Sequence, residues 1–117
     1  MRFPDISSCL ECEEYHCGDN YESAEVKNVT AGDLMSEVLV FDKENLLLIT
    51  SLNSEQTMRT AHVVDALGVI LVNGKRPSDA MIRLASEMGI SLLSTKKTLF
   101  DTCVALHYLI TKAECGA

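Results

Sequence analysis

The side chains best suited to metal or redox chemistry crowd near the N-terminus, in the segment SCLECEEYHC. This segment holds Cys9, Cys12, His16 and Cys17 within nine positions. Thiolates and imidazoles are the usual ligands of zinc, and Cys-x-x-Cys is half of many zinc and iron–sulfur sites. If residues 11–17 form a strand, however, alternation puts Cys12 and His16 on one face and Cys17 on the other. No second Cys-x-x-Cys follows, so the sequence favours reduced thiols and no metal. A metal or redox site at Cys9, Cys12 and Cys17 is the alternative.

A second pair of reactive side chains, Cys103 and His107, is four residues apart on a predicted helix. A thiol beside an imidazole can act as a nucleophile with its base. The flanking residues are apolar, however, and a cysteine among them usually packs as a small hydrophobic residue. No paired carboxylates, activated nucleophile or cofactor fingerprint can be placed in the sequence. The chain is therefore predicted to be non-catalytic, with no cofactor.

Polar and basic residues follow three predicted strands, at the point where each strand ends. If the strands are parallel, these loops meet at the carboxyl edge of the sheet, where α/β proteins commonly bind ligands. Four of the ten basic residues of the chain lie in these three loops. In one of the loops, Gly74–Arg76 lead into a helix that begins near Pro77. We expect free backbone N–H groups and two cations to converge at this helix start. The predicted ligand-binding residues are Thr50, Asn53, Gly74, Lys75, Arg76, Ser94, Thr95 and Lys96.

Helix capping accounts for part of the same pattern. Serine, threonine and asparagine are preferred at helix N-caps and in turns without any ligand. Asn53 with Gln56 resembles a capping box for the helix that follows. Capping does not explain why four basic residues lie in these same loops. The sequence therefore leaves two interpretations open, a site for a small anion or nucleotide and a set of capped corners.

The elements that position these loops alternate along the chain. Short apolar strands are predicted at 46–52, 68–74 and 90–95, and helices at 54–67, 77–88 and 98–112. Strands joined by helical crossovers pair in parallel. Upstream, the pattern predicts a short helix at 5–10, strands at 11–17 and 25–29, and a helix at 31–41 capped by Thr30, with Leu34, Val38 and Phe41 facing inward.

These elements predict one α/β domain over residues 1–117, in which residues 1–29 are the less regular N-terminal portion. The fold is a sandwich with a mainly parallel sheet of about five strands and about four helices. Its predicted core is Leu47, Ile49, Val69, Leu71, Leu84, Leu92 and Leu106. A chain of 117 residues suffices for one core and not for two.

Composition narrows the classes of partner. The formal charge is −7, and residues 11–25 carry six acids and no Lys or Arg. Such a surface is unsuited to nucleic acid or to an anionic membrane, so neither is predicted as a partner. No apolar run approaches the ~18 residues that span a bilayer, and the N-terminus lacks a signal-peptide core. We expect a cytoplasmic protein whose five cysteines are reduced.

The order of several segments resembles that of the DRTGG-domain family in its small stand-alone form. These segments are GDLMS, LLIT, RTA, GVILVNGK, GISLLST and TLFDTC, within about two thirds of the chain. The family takes its name from an Asp-Arg-Thr segment after the third strand and a Gly-Gly after the fourth. Here those places are held by Ser51-Leu52-Asn53-Ser54 and by Asn73-Gly74.

The resemblance implies an α/β sandwich similar to the N-terminal domain of HPr kinase. It also implies a regulatory or assembly module, as found beside CBS domains in regulated pyrophosphatases. We therefore expect a non-catalytic homodimer that senses a small anionic ligand or nucleotide and acts on a partner enzyme. The alternative is a small metal or redox accessory protein in a hydrogenase-type context.

Overall fold

The computed structural model describes residues 1–114, and Cys115, predicted to lie in a terminal tail, is outside them. Within these residues the chain forms five helices and five strands. In order they are α1 (Phe3–Leu10), β1 (Glu13–His16), β2 (Asn28–Ala31), α2 (Met35–Val38), β3 (Leu46–Thr50), α3 (Glu55–Val63), β4 (Gly68–Leu71), α4 (Asp79–Met88), β5 (Ser91–Ser94) and α5 (Leu99–Glu114). The predicted α/β class is confirmed.

The five strands form one sheet in the order β1-β5-β4-β3-β2. Strands β2 to β5 are parallel, and β1 pairs antiparallel with β5. The four parallel strands therefore end at one edge of the sheet, which we call the carboxyl edge. Because β1 runs the opposite way, its first residues lie at the same edge, with Glu13 opposite Ser94.

Helices cover both faces of the sheet. Along β3, Leu47 and Ile49 join a buried cluster with residues of α1 and α5, whereas Leu48 joins a second cluster with residues of α2, α3 and α4. Successive strand side chains point to opposite faces, so a continuously apolar strand serves two cores. All seven residues predicted for the core are buried, as expected.

Helix α4 has the clearest sequence signals at both ends. Ser78 is its N-cap, and the hydroxyl oxygen accepts a hydrogen bond from the Met81 N–H at 3.2 Å. Gly89 ends it with φ +70°, a left-handed conformation that glycine adopts without strain. Met81, Leu84 and Ala85 form the buried face, and the predicted helix is confirmed.

The prediction for residues 31–41 is wrong about the cap and the length of the helix, whereas Val38 is buried as predicted. Thr30 does not cap a helix but lies within β2, opposite Leu48 of β3. The helix is only the four residues of α2, and Leu34, predicted to face inward, is 58% exposed while Met35 is buried. Pairing with β3 satisfies those backbone groups of residues 28–31 that face it, and this tertiary pairing outweighs local helix propensity.

No helix in residues 1–114 is long and apolar enough to cross a membrane.

Candidate functional site

A cavity of about 540 Å³ opens at the carboxyl edge, between the start of β1 and the loops that follow β4 and β5. We call it the carboxyl-edge cavity. It is lined by Glu11, Cys12, Glu13, Tyr15, Gly74, Arg76, Ser94, Thr95 and Lys96. Five of these residues belong to the predicted ligand-binding set. The other four precede β1 or lie within it, and sequence reasoning missed them because nothing local indicates that β1 pairs with β5.

Two buried hydroxyl groups fix the walls of this cavity. The Ser94 hydroxyl donates to the Lys75 carbonyl at 2.7 Å and joins the end of β5 to the loop after β4. The Thr95 hydroxyl donates to the Leu10 carbonyl at 2.8 Å and joins β5 to the end of α1. These hydroxyl protons are directed to backbone carbonyls, so Ser94 and Thr95 shape the cavity.

The loop after β4 uses its backbone donors internally. Asn73 and Gly74 are both left-handed, with φ of +60° and +67°. Their N–H groups donate to the carbonyls of Lys97 and Thr95, each at 2.9 Å, and the Lys75 N–H donates to the Val72 carbonyl at 3.2 Å. The N–H groups of Gly74 and Lys75 are therefore occupied within the protein and are not available to an anion.

Two cationic side chains line the cavity, those of Arg76 and Lys96, and both residues are exposed. The ion pairs among the described side chains involve Arg2, Arg59, Arg83 and the N-terminal amine, so neither lining cation has a carboxylate partner.

Arg76 lies beside a hydrogen bond between two residues of β1. The Tyr15 hydroxyl donates to the Glu13 carboxylate. This hydrogen bond is the main reason that the pKa of Tyr15 is raised, and the nearby Arg76 guanidinium opposes the rise. Arg76, Tyr15 and Glu13 therefore form one polar group on the wall of the cavity.

Thr50, at the end of β3, lies outside the lining and has an internal partner, Asp33. The Asp33 carboxylate accepts hydrogen bonds from the Thr50 hydroxyl at 2.8 Å, the Ser51 N–H at 2.7 Å and the Ser51 hydroxyl at 2.6 Å. These bonds, chiefly that from the Ser51 side chain, lower the pKa of Asp33, and the charge of Lys75 adds to the effect. Asp33 was missed because residues 31–41 were interpreted as a helix.

Asn53 and Lys75 complete the predicted set, and neither lines the cavity. Asn53 does not cap α3, as the resemblance to a capping box suggested: the N-cap is Ser54, without a side-chain cap hydrogen bond. Instead, the Asn53 side-chain amide donates to the Arg76 carbonyl at 2.9 Å. It thereby ties the loop after β3 to the loop after β4. Lys75 is exposed, and its carbonyl accepts the bond from Ser94.

The N-terminal cysteines are not gathered into a metal site. Cys9 and Cys17 are exposed, whereas Cys12 is half-buried. Burial, with smaller effects from Glu14 and Cys9, raises the pKa of Cys12 to about 12, so its thiol is protonated at neutral pH. Within the described chain, no three His, Cys, Asp or Glu side chains are placed to hold a metal ion.

Cys103 and His107 do not form a hydrogen-bonded pair in the described helix. Cys103 is half-buried, and burial raises the pKa of its thiol. The His107 Nε2 lies 3.4 Å from the Thr111 hydroxyl instead. A protonated thiol without a neighbouring base is a poor nucleophile.

A second cavity, of about 620 Å³, lies at the opposite edge and is lined by none of the predicted ligand-binding residues. Its acidic lining residues are Asp19, Asp42, Glu44 and Asp65, and its basic ones are Lys43 and His62. Helix α4 ends beside it at Gly89. The negative end of a helix dipole and an excess of carboxylates make this cavity, although larger, unsuited to an anion.

Comparison with known proteins gives a family match and a structural match. The DRTGG domain family matches residues 5–109. A crystal structure of the CBS and DRTGG domains of the regulatory region of Clostridium perfringens pyrophosphatase, complexed with the activator diadenosine tetraphosphate, has the same fold, with a TM-score of 0.76 at 17% identity. The match covers 89% of this chain and 45% of that one, so this chain corresponds to less than half of its length. No curated protein matches the sequence.

Proposed function

Since the chain belongs to the DRTGG domain family, we propose that it is a non-catalytic regulatory domain that senses a small phosphate-bearing ligand at the carboxyl-edge cavity. The observation that supports this most directly is the convergence of Arg76 and Lys96, two cations without carboxylate partners, on one cavity of an otherwise acidic chain. Guanidinium and ammonium groups are the usual side-chain ligands of phosphate.

The form of the cavity also supports ligand binding. Its volume of about 540 Å³ lies within the range of roughly 300–1,000 Å³ typical of small-molecule sites. Its walls belong to β1, β5, the turn between α1 and β1, and two loops, and the buried hydroxyl groups of Ser94 and Thr95 fix their positions. A site held in shape before binding loses less entropy when the ligand arrives.

The structural neighbour supports the regulatory part of the proposal. It belongs to the regulatory region of a pyrophosphatase and was crystallised with an activator that carries four phosphates, diadenosine tetraphosphate. By analogy, we propose that ligand binding here changes the activity of a partner enzyme.

We also propose that the domain acts as a homodimer. Helix α5 leaves Phe100 and Tyr108 exposed by 74% and 71%, with Val104 exposed by 39% between them. These residues are spaced by four, so they form one apolar stripe along the helix. Exposed aromatic residues in a contiguous stripe are typical of protein interfaces, and a two-fold dimer would cover both copies of the stripe at once.

The ligand part of the proposal is tested by thermal unfolding. Because binding to the native state alone raises the melting temperature, diadenosine tetraphosphate or ATP at millimolar concentration should raise it, and added inert salt should reduce the rise. Arg76→Ala with Lys96→Ala should abolish the rise and leave the unliganded melting temperature nearly unchanged, because exposed charges contribute little to stability.

The matched control removes the same charge elsewhere. Lys43→Ala with Lys27→Ala deletes two exposed cations, of which Lys43 lines the opposite cavity. This variant should keep the full response to nucleotide. A response lost in the control and kept in the Arg76/Lys96 variant would place the ligand elsewhere, and no response in the unmodified protein would refute the proposed ligand.

A further inference from the structure

The lining of the carboxyl-edge cavity carries both signs of charge in equal number. Arg76 and Lys96 come from the loops after β4 and β5, whereas Glu11 ends α1 and Glu13 begins β1. The neighbouring Cys12 thiol, whose pKa is about 12, adds no charge at neutral pH. A simple anion in this cavity would therefore meet two carboxylates as well as two cations.

The carboxylates are placed there by the sheet and not by chance contacts of the surface. The antiparallel pairing of β1 with β5 puts Glu13 directly opposite Ser94, two residues before Lys96. Glu11 ends α1 in a left-handed conformation, with φ +52°, and this turn directs the chain from the helix into β1. Both acids thus come from the short segment that closes one side of the cavity.

The carboxylates retain capacity for a ligand. An ionised carboxylate has two oxygens with about four acceptor sites and no donor. Glu13 accepts one bond, from the Tyr15 hydroxyl, which leaves further acceptor sites on the same group. Glu11 and Glu13 are exposed, so a bound molecule can reach them from the open side of the cavity.

A ligand that matches this lining needs an anionic group at one end and hydrogen-bond donors at the other. Tyr15, also part of the lining, contributes an aromatic ring whose hydroxyl contacts Glu13 and lies near Arg76. We propose that the carboxyl-edge cavity binds a nucleotide whose base bears an exocyclic amino group, as adenine does. Its phosphate contacts Arg76 and Lys96, its amino group donates to Glu11 or Glu13, and its base packs against Tyr15.

The carboxylates distinguish bases by whether the edge of the base donates or accepts hydrogen bonds. The N6 amino group of adenine donates hydrogen bonds, whereas hypoxanthine has a carbonyl oxygen at that position. A carboxylate accepts from the first and repels the second. The inference rests on the proposed function, since it concerns the same cavity, and it adds that the acidic side of the lining chooses the base.

Calorimetric titration of the whole chain with AMP, IMP and inorganic phosphate tests this. We expect AMP to bind at least about tenfold more tightly than IMP, and phosphate to bind most weakly. Glu11→Gln with Glu13→Gln should weaken the binding of AMP, because the carboxylates that accept from its amino group are replaced. The same variant should tighten the binding of phosphate, because it removes two negative charges. It should also favour IMP, because the new amide can donate to the carbonyl of its base. The ratio of the dissociation constant of IMP to that of AMP should fall close to one.

Two controls separate the outcomes. Glu22→Gln with Glu37→Gln changes the same charge at exposed positions outside the lining and should keep the preference for AMP. Lys96→Ala should weaken the binding of all three ligands. Equal binding of AMP and IMP, or tightening of AMP in the Glu11/Glu13 variant, would overturn the inference and leave the proposed function standing. Absence of binding by all three ligands would overturn both.

Discussion

At the residue scale, Asp33 connects the ends of two neighbouring strands. It follows β2 and accepts three hydrogen bonds from Thr50 and Ser51, at the end of β3. This contact occupies the Thr50 hydroxyl, which the sequence assigned to a ligand. The carboxyl edge is therefore divided: at the end of β3 an internal carboxylate holds the donors, whereas beside β5 the cavity remains open.

We expect Asp33→Asn to destabilise the domain by about 1 kcal/mol at pH 7. Hydrogen bonds to a charged acceptor are stronger than neutral ones, but this carboxyl group is mostly exposed and solvent screens it. Urea denaturation of both proteins at pH 7 measures the difference.

The same pair of proteins should show a defined pH dependence. The folded pKa of Asp33 lies below its ordinary value of 3.8, so its contribution is fully present above that value and is lost as the pH falls through the folded pKa. The difference between wild type and Asp33→Asn should therefore be constant from pH 7 to about 5 and shrink below pH 4. A difference that grows on acidification would contradict this assignment.

At the element scale, α1 packs unusually close to β4. The Phe3 ring lies against Gly68, where an added Cβ would come within 2.6 Å of the ring and 3.2 Å of the Ser91 carbonyl. Phe3 is also buried and stacks on Tyr21, with ring centroids 5.7 Å apart. A glycine within a strand, here the first residue of β4, is typical of such close approach. The packing of α1 against the sheet therefore depends on the absence of a side chain at Gly68.

We expect Gly68→Ala to destabilise the domain by about 1–3 kcal/mol, because the methyl group must displace a packed ring. Phe3→Leu alone should also destabilise it. The double variant should be more stable than the sum of the two effects predicts, since the smaller side chain makes room for the methyl group. Denaturant unfolding of the four proteins measures this coupling, and strict additivity would show that the two residues are not in contact.

At the scale of the whole molecule, helices cover both faces of the sheet. Helices α2, α3 and α4 lie on one face, and α1 and α5 on the other. On the second face, α5 buries Leu106 yet exposes Phe100 and Tyr108. The outer side of α5 is therefore the apolar surface that we propose for self-association.

We expect light scattering to give about twice the chain mass of 12.8 kDa at micromolar concentration. Phe100→Glu with Tyr108→Glu should reduce the mass to that of one chain, because charged groups cannot be buried unpaired across a two-fold interface. Val40→Glu with Val63→Glu, at two exposed positions away from α5, is the matched control and should remain a dimer. A single-chain mass for the unmodified protein at all concentrations would refute the dimer.

The sequence alone determined β3, β4 and β5, the three helices that follow them, and the edge of the sheet at which the loops meet. These features depend on periodicity and on caps such as Ser78 and Gly89, which act between residues a few positions apart. Five of the eight predicted ligand-binding residues accordingly line one cavity.

Only the tertiary structure decided the partners of these residues. Thr95 bonds a carbonyl 85 positions away, Thr50 bonds a carboxylate 17 positions away, and Asn53 bonds the loop after β4 in place of its own helix. The acidic side of the cavity likewise exists because β1 pairs antiparallel with β5. Such contacts follow from the order of strands in the sheet, which local propensity does not encode, and they decide which polar groups remain available to a ligand.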